Sequence, residues 1–167
     1  MHVPPEYVSW IAKLGFREIS FGSGGIKLYT PEELDDAQIG YSRSAEGKSF
    51  CDGTTGSWNA EWIAIAYDTG LGDLIILDTS ISELPVMTAL HGEGSWDAKI
   101  IAGSLAGFGE ALREVQRASV GRESPVALEQ NPLPEDQRRD ILARIRIAIG
   151  QRADIDFWGG LLETEEE

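Results

Sequence analysis

The chain has 167 residues, of which 42% are hydrophobic, so it is long and apolar enough to bury the core of one folded domain. Twenty-eight acidic residues stand against fourteen lysines and arginines, giving a formal net charge of −14. Such a surface repels phosphate backbones and anionic lipid, which argues against direct nucleic-acid or membrane binding and favours a basic protein partner. Acidity that serves only solubility is the alternative interpretation.

Cysteine and histidine are scarce. A single cysteine, Cys51, excludes an intrachain disulfide, and His91 is the one histidine away from the start of the chain. Zinc sites need three or four ligands that usually include these residue types, so we expect neither a metal nor another cofactor. The chain has no basic segment followed by an apolar leader and no apolar run of about 18 residues, so we expect a cytoplasmic protein.

In chain order, Pro4 and Pro5 suit the first turn of a helix over about residues 5–14, which Gly15 ends. Thr30 and the acidic residues after it are typical of the first turn of a short helix, and residues 40–60 are polar enough to predict a long loop. Short apolar runs between turn residues predict strands, of which the last is a short strand or an extended piece. These lie at about residues 17–21, 26–29, 61–68, 74–79, 84–91 and 98–104.

The second half of the chain is predicted to be mainly helical. Ser104 is placed to cap a helix that carries Phe108 on its inner side, and a stripe of isoleucines predicts another helix over about 134–149. Between them, the proline-containing segment 118–133 is predicted to be a linker. Residues 154–163 are expected to form a last strand or a packed tail, and residues 164–167 to be frayed.

The charges are segregated along the chain. No lysine or arginine occurs from Ser49 to Asp97, which predicts an acidic face in this region. The alternative is that these acids cap turns or pair with arginines of the C-terminal element. The acids are Asp52, Glu61, Asp68, Asp73, Asp78, Glu83, Glu93 and Asp97. The arginines are Arg138, Arg139, Arg144, Arg146 and Arg152.

The segment LHGEGSWD, residues 90–97, has the residue types of an active-site loop. Its glycines also suit a turn at the end of a strand, and we expect His91 to be structural. Ser104 lacks the flanking glycines of a nucleophilic elbow, and a pairing of Cys51 with His91 has no further support. We therefore predict a protein without catalytic residues that is not an enzyme. A hydrolase or small-ligand site built on His91 and Glu93 is the competing hypothesis.

Five segments in a fixed order carry a family resemblance. They are PPEYVSWIAKLG, LYTPEEL, IAIAYDTGLGDLIILDT, LPVMTALHGEGSW and IAGSLAGFGEAL, within residues 4–117. In this order they resemble the SUKH superfamily, a domain shared by a fungal regulator of cell-wall synthesis and many bacterial immunity proteins. The Asn-Gly-Gly usual after the first helix is absent, and Gly15-Phe16 stands in its place.

The resemblance implies an α+β fold with a mostly antiparallel sheet of about six strands and flanking helices. We treat residues 1–167 as one SUKH-like domain, with a core at about 4–117 and a C-terminal helical extension at about 125–167. The resemblance also implies a non-enzymatic domain that binds other proteins.

For a bacterial member, the resemblance implies immunity to a secreted or contact-dependent toxin. A nuclease toxin has a basic substrate face, which an acidic partner can reach quickly and cover. The alternative function is a regulatory or scaffolding module for cell-envelope or signalling proteins.

Candidate partner-binding residues come from the acidic region and its tryptophans. Trp62 and Trp96 are expected mainly in the core, whereas Trp58, in a polar loop, is the stronger candidate anchor. The full candidate set is Trp58, Glu61, Asp68, Asp73, Glu93 and Trp96.

Overall fold

The structure is a computed structural model and describes residues 1–163; the predicted fraying of 164–167 lies outside the described residues. The strands are β1 (Glu18–Phe21), β2 (Gly24–Leu28), β3 (Trp62–Asp68), β4 (Leu74–Asp78), β5 (Val86–Ala89) and β6 (Lys99–Ala102). The helices are α1 (Pro5–Leu14), α2 (Leu34–Ala37), α3 (Leu105–Ser119), α4 (Pro125–Gln130), α5 (Glu135–Ile149) and α6 (Ile155–Leu161).

The six strands form one antiparallel sheet in the order β1-β2-β3-β4-β5-β6. Each strand pairs with the next one along the chain, so the sheet is a simple meander. This confirms the predicted α+β fold with a six-stranded antiparallel sheet, flanking helices and a C-terminal helical extension.

Both faces of the central strands are buried. Along β4, Ile75 and Leu77 join the core beneath the helices, whereas Leu74 and Ile76 face the opposite side. Because alternate strand residues point to opposite faces, the uninterrupted apolar run of β4 is what a sheet covered on both sides requires. The larger core lies between the sheet and helices α1, α3, α5 and α6.

The second face is covered by loops instead of helices. Trp58 is only 2% exposed, and its ring lies 5.3 Å from that of Trp96 and 5.7 Å from that of Trp62. The indole nitrogen of Trp58 donates to the carbonyl of Trp62 at 3.2 Å. The polar loop around Trp58 therefore folds back over the sheet and buries the ring of the residue that the sequence favoured as an anchor.

The C-terminal extension contains more helix than the sequence predicts. The segment 118–133, predicted as a linker, contains α4, which Ser124 caps by accepting from the Ala127 amide at 3.2 Å. Of the two alternatives for residues 154–163, the strand is wrong, whereas the tail does pack against the sheet, through Trp158, and is helical. This is α6, whose first turn Asp154 caps by accepting from the amide of Asp156 at 2.9 Å. Both helices begin at ordinary N-caps.

Candidate functional site: an acidic cleft at the hairpin end of the sheet

Three of the five strand connections of the meander lie at the same end of the sheet. In an antiparallel meander, the β1–β2, β3–β4 and β5–β6 connections must share one end, because each strand reverses the direction of the last. Helices α4 and α6 of the C-terminal extension approach this end. Together they enclose a cleft of about 1470 Å³.

The cleft is strongly acidic. Its lining includes eight carboxylates and a single lysine, Lys99. The carboxylates are Asp68, Asp73, Glu93, Asp97, Glu129, Asp154, Asp156 and Glu163. So many like charges around one concave surface focus a negative potential into it and attract cations.

Local hydrogen bonds hold the turns at the cleft. Asp68 Oδ1 accepts from the amides of Gly70 and Leu71, at 2.6 and 3.1 Å, so the side chain closes the turn between β3 and β4. The amide of Asp68 donates to the carbonyl of Asp73 at 2.8 Å across the same turn. These bonds fix the backbone of the turn between β3 and β4.

His91 is fixed by Asp73. The Asp73 Oδ1 atom lies 2.7 Å from His91 Nδ1 and also accepts from the His91 amide at 3.1 Å. Since an ionised carboxylate can only accept, Nδ1 carries the hydrogen in this pair. The contact ties the β5–β6 loop to the residue that immediately precedes β4, and such a tie is compatible with a structural role for His91.

The structure brings three of the six candidate residues to the cleft and separates the others. Asp68, Asp73 and Glu93 line it. Glu61 precedes β3 whereas Asp68 ends it, so they lie about 23 Å apart along the strand at roughly 3.3 Å per residue. Trp58 and Trp96 belong to the loop-covered core, where Trp58 is buried and Trp96 half-buried.

The alternative in which C-terminal arginines neutralise the acidic region is not supported. Arg144 pairs with Glu114 at 2.9 Å, while Arg138 and Arg146 donate to main-chain carbonyls of the extension. Within residues 1–163, no lysine or arginine pairs with an acid of segment 49–97, and the one contact at salt-bridge distance is that of Asp73 with the imidazole of His91. Turn capping is confirmed for Asp52, Asp68 and Asp78, which accept from amides two residues ahead.

Two acids of this region have lowered pKa values for local reasons. Hydrogen bonds from Thr54, chiefly from its hydroxyl, lower the pKa of Asp52. The Ser82 hydroxyl lowers the pKa of Glu83 in the same way. Both carboxylates stay charged at neutral pH and add to the negative field of the region.

Sequence reasoning missed five of the cleft's acids as site residues. The sequence marks Asp97 only as one of the acids of its region. Its position in the β5–β6 connection, at the same end of the sheet as the β3–β4 turn, is the signal that could have identified it. The other four, Glu129, Asp154, Asp156 and Glu163, come from the extension. No local pattern marks them, because they reach the cleft only through the packing of α4 and α6.

The chemistry of the cleft suits binding. Among the described residues, no three His, Cys, Asp or Glu side chains converge where they could hold a metal ion. Cys51 packs against the loop-covered core with its Sγ 3.8 Å from the Ser42 carbonyl, while His91 is held by Asp73. The lining combines carboxylates with solvent-exposed apolar side chains, which is a combination that can take a cationic polypeptide.

The fold and site define an α+β protein with an acidic cleft at one end of its sheet. No family model, curated protein or solved structure matches the chain. None of the helices in the described part of the chain has both the length and the apolar character needed to cross a membrane.

Proposed function

We propose that this chain is a non-enzymatic protein-binding domain of the SUKH type that gives immunity to a basic, nuclease-type toxin. The observation that carries the proposal is the cleft, where eight carboxylates and one lysine surround a single concavity. The six-stranded antiparallel meander is also the kind of sheet that the resemblance implies. As part of the same proposal, the protein acts in the cytoplasm, where a nuclease toxin meets its substrate.

The charge distribution supports fast and occlusive binding of such a toxin. A nuclease concentrates lysines and arginines on the surface that receives the phosphate backbone. A complementary negative surface raises the association rate, to about 10⁸ M⁻¹ s⁻¹ or more at low salt. A partner seated over these residues also prevents the nucleic acid from reaching them.

The competing hydrolase hypothesis requires His91 to activate a nucleophile or water through its Nε2 atom. A carboxylate bound to Nδ1, as Asp73 is here at 2.7 Å, occurs in catalytic pairs as well as in loop anchors. His91 also sits in the loop whose amide the same carboxylate holds. Both contacts suit an anchor of the β5–β6 loop.

The test is binding of the purified chain to the toxin domain encoded beside its gene. We expect a 1:1 complex with a dissociation constant in the nanomolar range, about −12 kcal/mol, together with survival of cells that express the toxin. Absence of both binding and protection would refute the immunity proposal. A gene context without any toxin, with binding instead to an envelope or signalling protein, would support the regulatory or scaffolding alternative.

A further inference from the structure

We infer that the C-terminal extension forms half of the binding site, and that the cleft takes an extended polypeptide segment bearing lysine or arginine and apolar side chains. This inference rests on the proposed protein-binding function and deepens it. It assigns the partner's contacting element and a role for the extension, which lies outside the family-like core.

The two walls of the cleft carry equal numbers of acids. The hairpin wall, formed by the connections β3–β4 and β5–β6, contributes Asp68, Asp73, Glu93 and Asp97. The extension wall, formed by residues 125–163, contributes Glu129, Asp154, Asp156 and Glu163. A cation between the walls therefore meets carboxylates on both sides, and neither wall alone supplies the full field.

The extension wall is fixed at both edges of the sheet. At the β1–β2 hairpin, the Gly22 amide donates to the Arg122 carbonyl at 2.8 Å, and Gly22 lies against Leu128 of α4. At the β6 edge, the Trp158 indole donates to the Ile101 carbonyl at 2.8 Å and the Asp154 amide donates to the Ile100 carbonyl at 2.8 Å. A wall held in this way is preorganised, which lowers the entropy lost on binding.

Apolar side chains are exposed on both walls. Leu71 and Leu90 of the hairpin wall are 72% and 60% exposed, and Val126 of the extension wall is 61% exposed. Apolar side chains gathered around a concave surface favour an occupant that can cover them. Acidic and apolar groups together match a segment in which cationic and apolar residues are interspersed.

The size of the cleft favours a polypeptide over a small molecule. Its volume of about 1470 Å³ exceeds the roughly 300–1,000 Å³ of most small-ligand pockets. In addition, the described residues contain no cluster of three ligands that would concentrate the carboxylates on a single metal ion. Charges spread along two walls instead fit several cationic side chains in sequence.

The test uses a labelled basic peptide, acetyl-GRLKRLRG-amide, as the probe. Its binding is measured by fluorescence anisotropy, and its position by amide chemical shifts of the ¹⁵N-labelled full chain. Two further peptides separate the contributions: GRSKRSRG lacks the leucines and GELEELEG reverses the charge. We expect shifts confined to the two walls, weaker binding of the serine peptide and no binding of the acidic one.

Three double variants, each removing two negative charges at exposed positions, locate the binding. The hairpin-wall variant is Glu93→Gln with Asp97→Asn, the extension-wall variant is Glu129→Gln with Glu163→Gln, and the control is Glu18→Gln with Glu46→Gln. We expect each wall variant to weaken binding about threefold to tenfold and the control less than twofold. Each variant should melt at the wild-type temperature.

Equal weakening by all three variants would overturn the inference, since it would show a response to net charge alone. Absence of peptide binding, or an extension-wall variant that behaves as the control, would also overturn it. Repeating the series with the neighbouring toxin domain separates the two proposals. Binding of the peptide in the cleft without binding of the toxin domain would refute the immunity proposal only. Toxin binding that the extension-wall variant leaves unchanged would refute the inference only.

Discussion

Replacing Trp158 with phenylalanine tests whether its indole docks helix α6 on the sheet. Trp158 is 0% exposed, and its ring centroid lies 5.8 Å from that of Phe108 and 5.3 Å from that of Phe157. Its nitrogen donates to the Ile101 carbonyl at 2.8 Å. The substitution Trp158→Phe removes this donor and the outer part of the ring, but it keeps an aromatic group in the core.

The expected cost has two parts. A buried carbonyl left without its partner costs about 1–3 kcal/mol. Losing on the order of 50 Å² of buried apolar surface costs about 1.3 kcal/mol more at roughly 25 cal/mol per Å². The sum, around 3 kcal/mol, corresponds to a fall in melting temperature of roughly 6–12 °C for a chain of this size.

The assay is chemical denaturation together with thermal melting, and hydrogen exchange gives local resolution. Exchange of the Asp154 amide, which donates to the Ile100 carbonyl, should accelerate because α6 is held less firmly. The matched control is Trp62→Phe, whose ring is only half-buried in the loop-covered core. A loss below about 1 kcal/mol for Trp158→Phe, or one equal to the control's, would refute the docking role assigned to the indole.

Three further substitutions test other parts of the fold. Tyr7→Phe removes the hydroxyl that donates to the Tyr29 carbonyl at 2.7 Å, and it should cost about 1–2 kcal/mol at neutral pH. The buried Gln38 side chain hydrogen bonds to the amide and the carbonyl of Ala64, at 2.9 and 3.0 Å. Gln38→Leu removes both of these bonds and should lower the free energy of unfolding by about 2–4 kcal/mol. Gly107→Ala should destabilise by about 2 kcal/mol or more, although alanine favours helix by about 1 kcal/mol, because its Cβ would collide with the main chain of α5.

Denaturation measures all three losses, and two of the substitutions have a further distinguishing readout. Burial, followed by the charge of Glu33, raises the pKa of Tyr7, so its contribution is complete below the unfolded value of 10.0 and is lost as pH rises above it. Tyr7→Phe should therefore lose less stability between neutral and alkaline pH than the wild type does; an unchanged alkaline loss would contradict this. Gly160→Ala, at a helical site with open space, is the control for Gly107→Ala and should be neutral or stabilising. A similar effect at both glycines would refute the steric argument.

Elements with strong local signals could be predicted from the sequence. Helix α1 was predicted over 5–14 and spans Pro5–Leu14, where Gly15 ends it with φ at 81°. Ser104 caps α3 as expected, accepting from the Gly107 amide at 3.0 Å. In both cases the residues that begin or end the helix act on neighbours within one turn, so the pattern is visible along the chain.

The misplaced elements depend on tertiary packing. Helix α6 contains Gly159 and Gly160, which lower its intrinsic helix propensity, and it is held by the contacts of Trp158 with the sheet. Trp58 lies among polar residues, but its loop covers a sheet face that the sequence pattern does not assign to it. In each case, a long-range contact overrides the local composition.

Of the two walls of the cleft, only the hairpin wall could be predicted from the sequence, because only that wall has a pattern visible along the chain. The absence of basic residues over 49–97 identified the hairpin wall, and Asp68 and Asp73 flank the turn that forms part of it. The acids of the extension wall were not predicted as site residues, because they lie more than 30 residues further along the chain, beside arginines that suggested a basic element. Of those arginines, Arg144 is instead paired with Glu114, and Arg138 and Arg146 donate to main-chain carbonyls of the extension.

The most direct test of the central claim is the affinity of the neighbouring toxin domain for the hairpin-wall variant and for its charge-matched control. Isothermal titration calorimetry gives both dissociation constants at physiological salt. The account predicts that Glu93→Gln with Asp97→Asn weakens binding at least threefold, while Glu18→Gln with Glu46→Gln leaves it within twofold of the wild type. Equal affinities for the two variants would contradict binding through the acidic cleft.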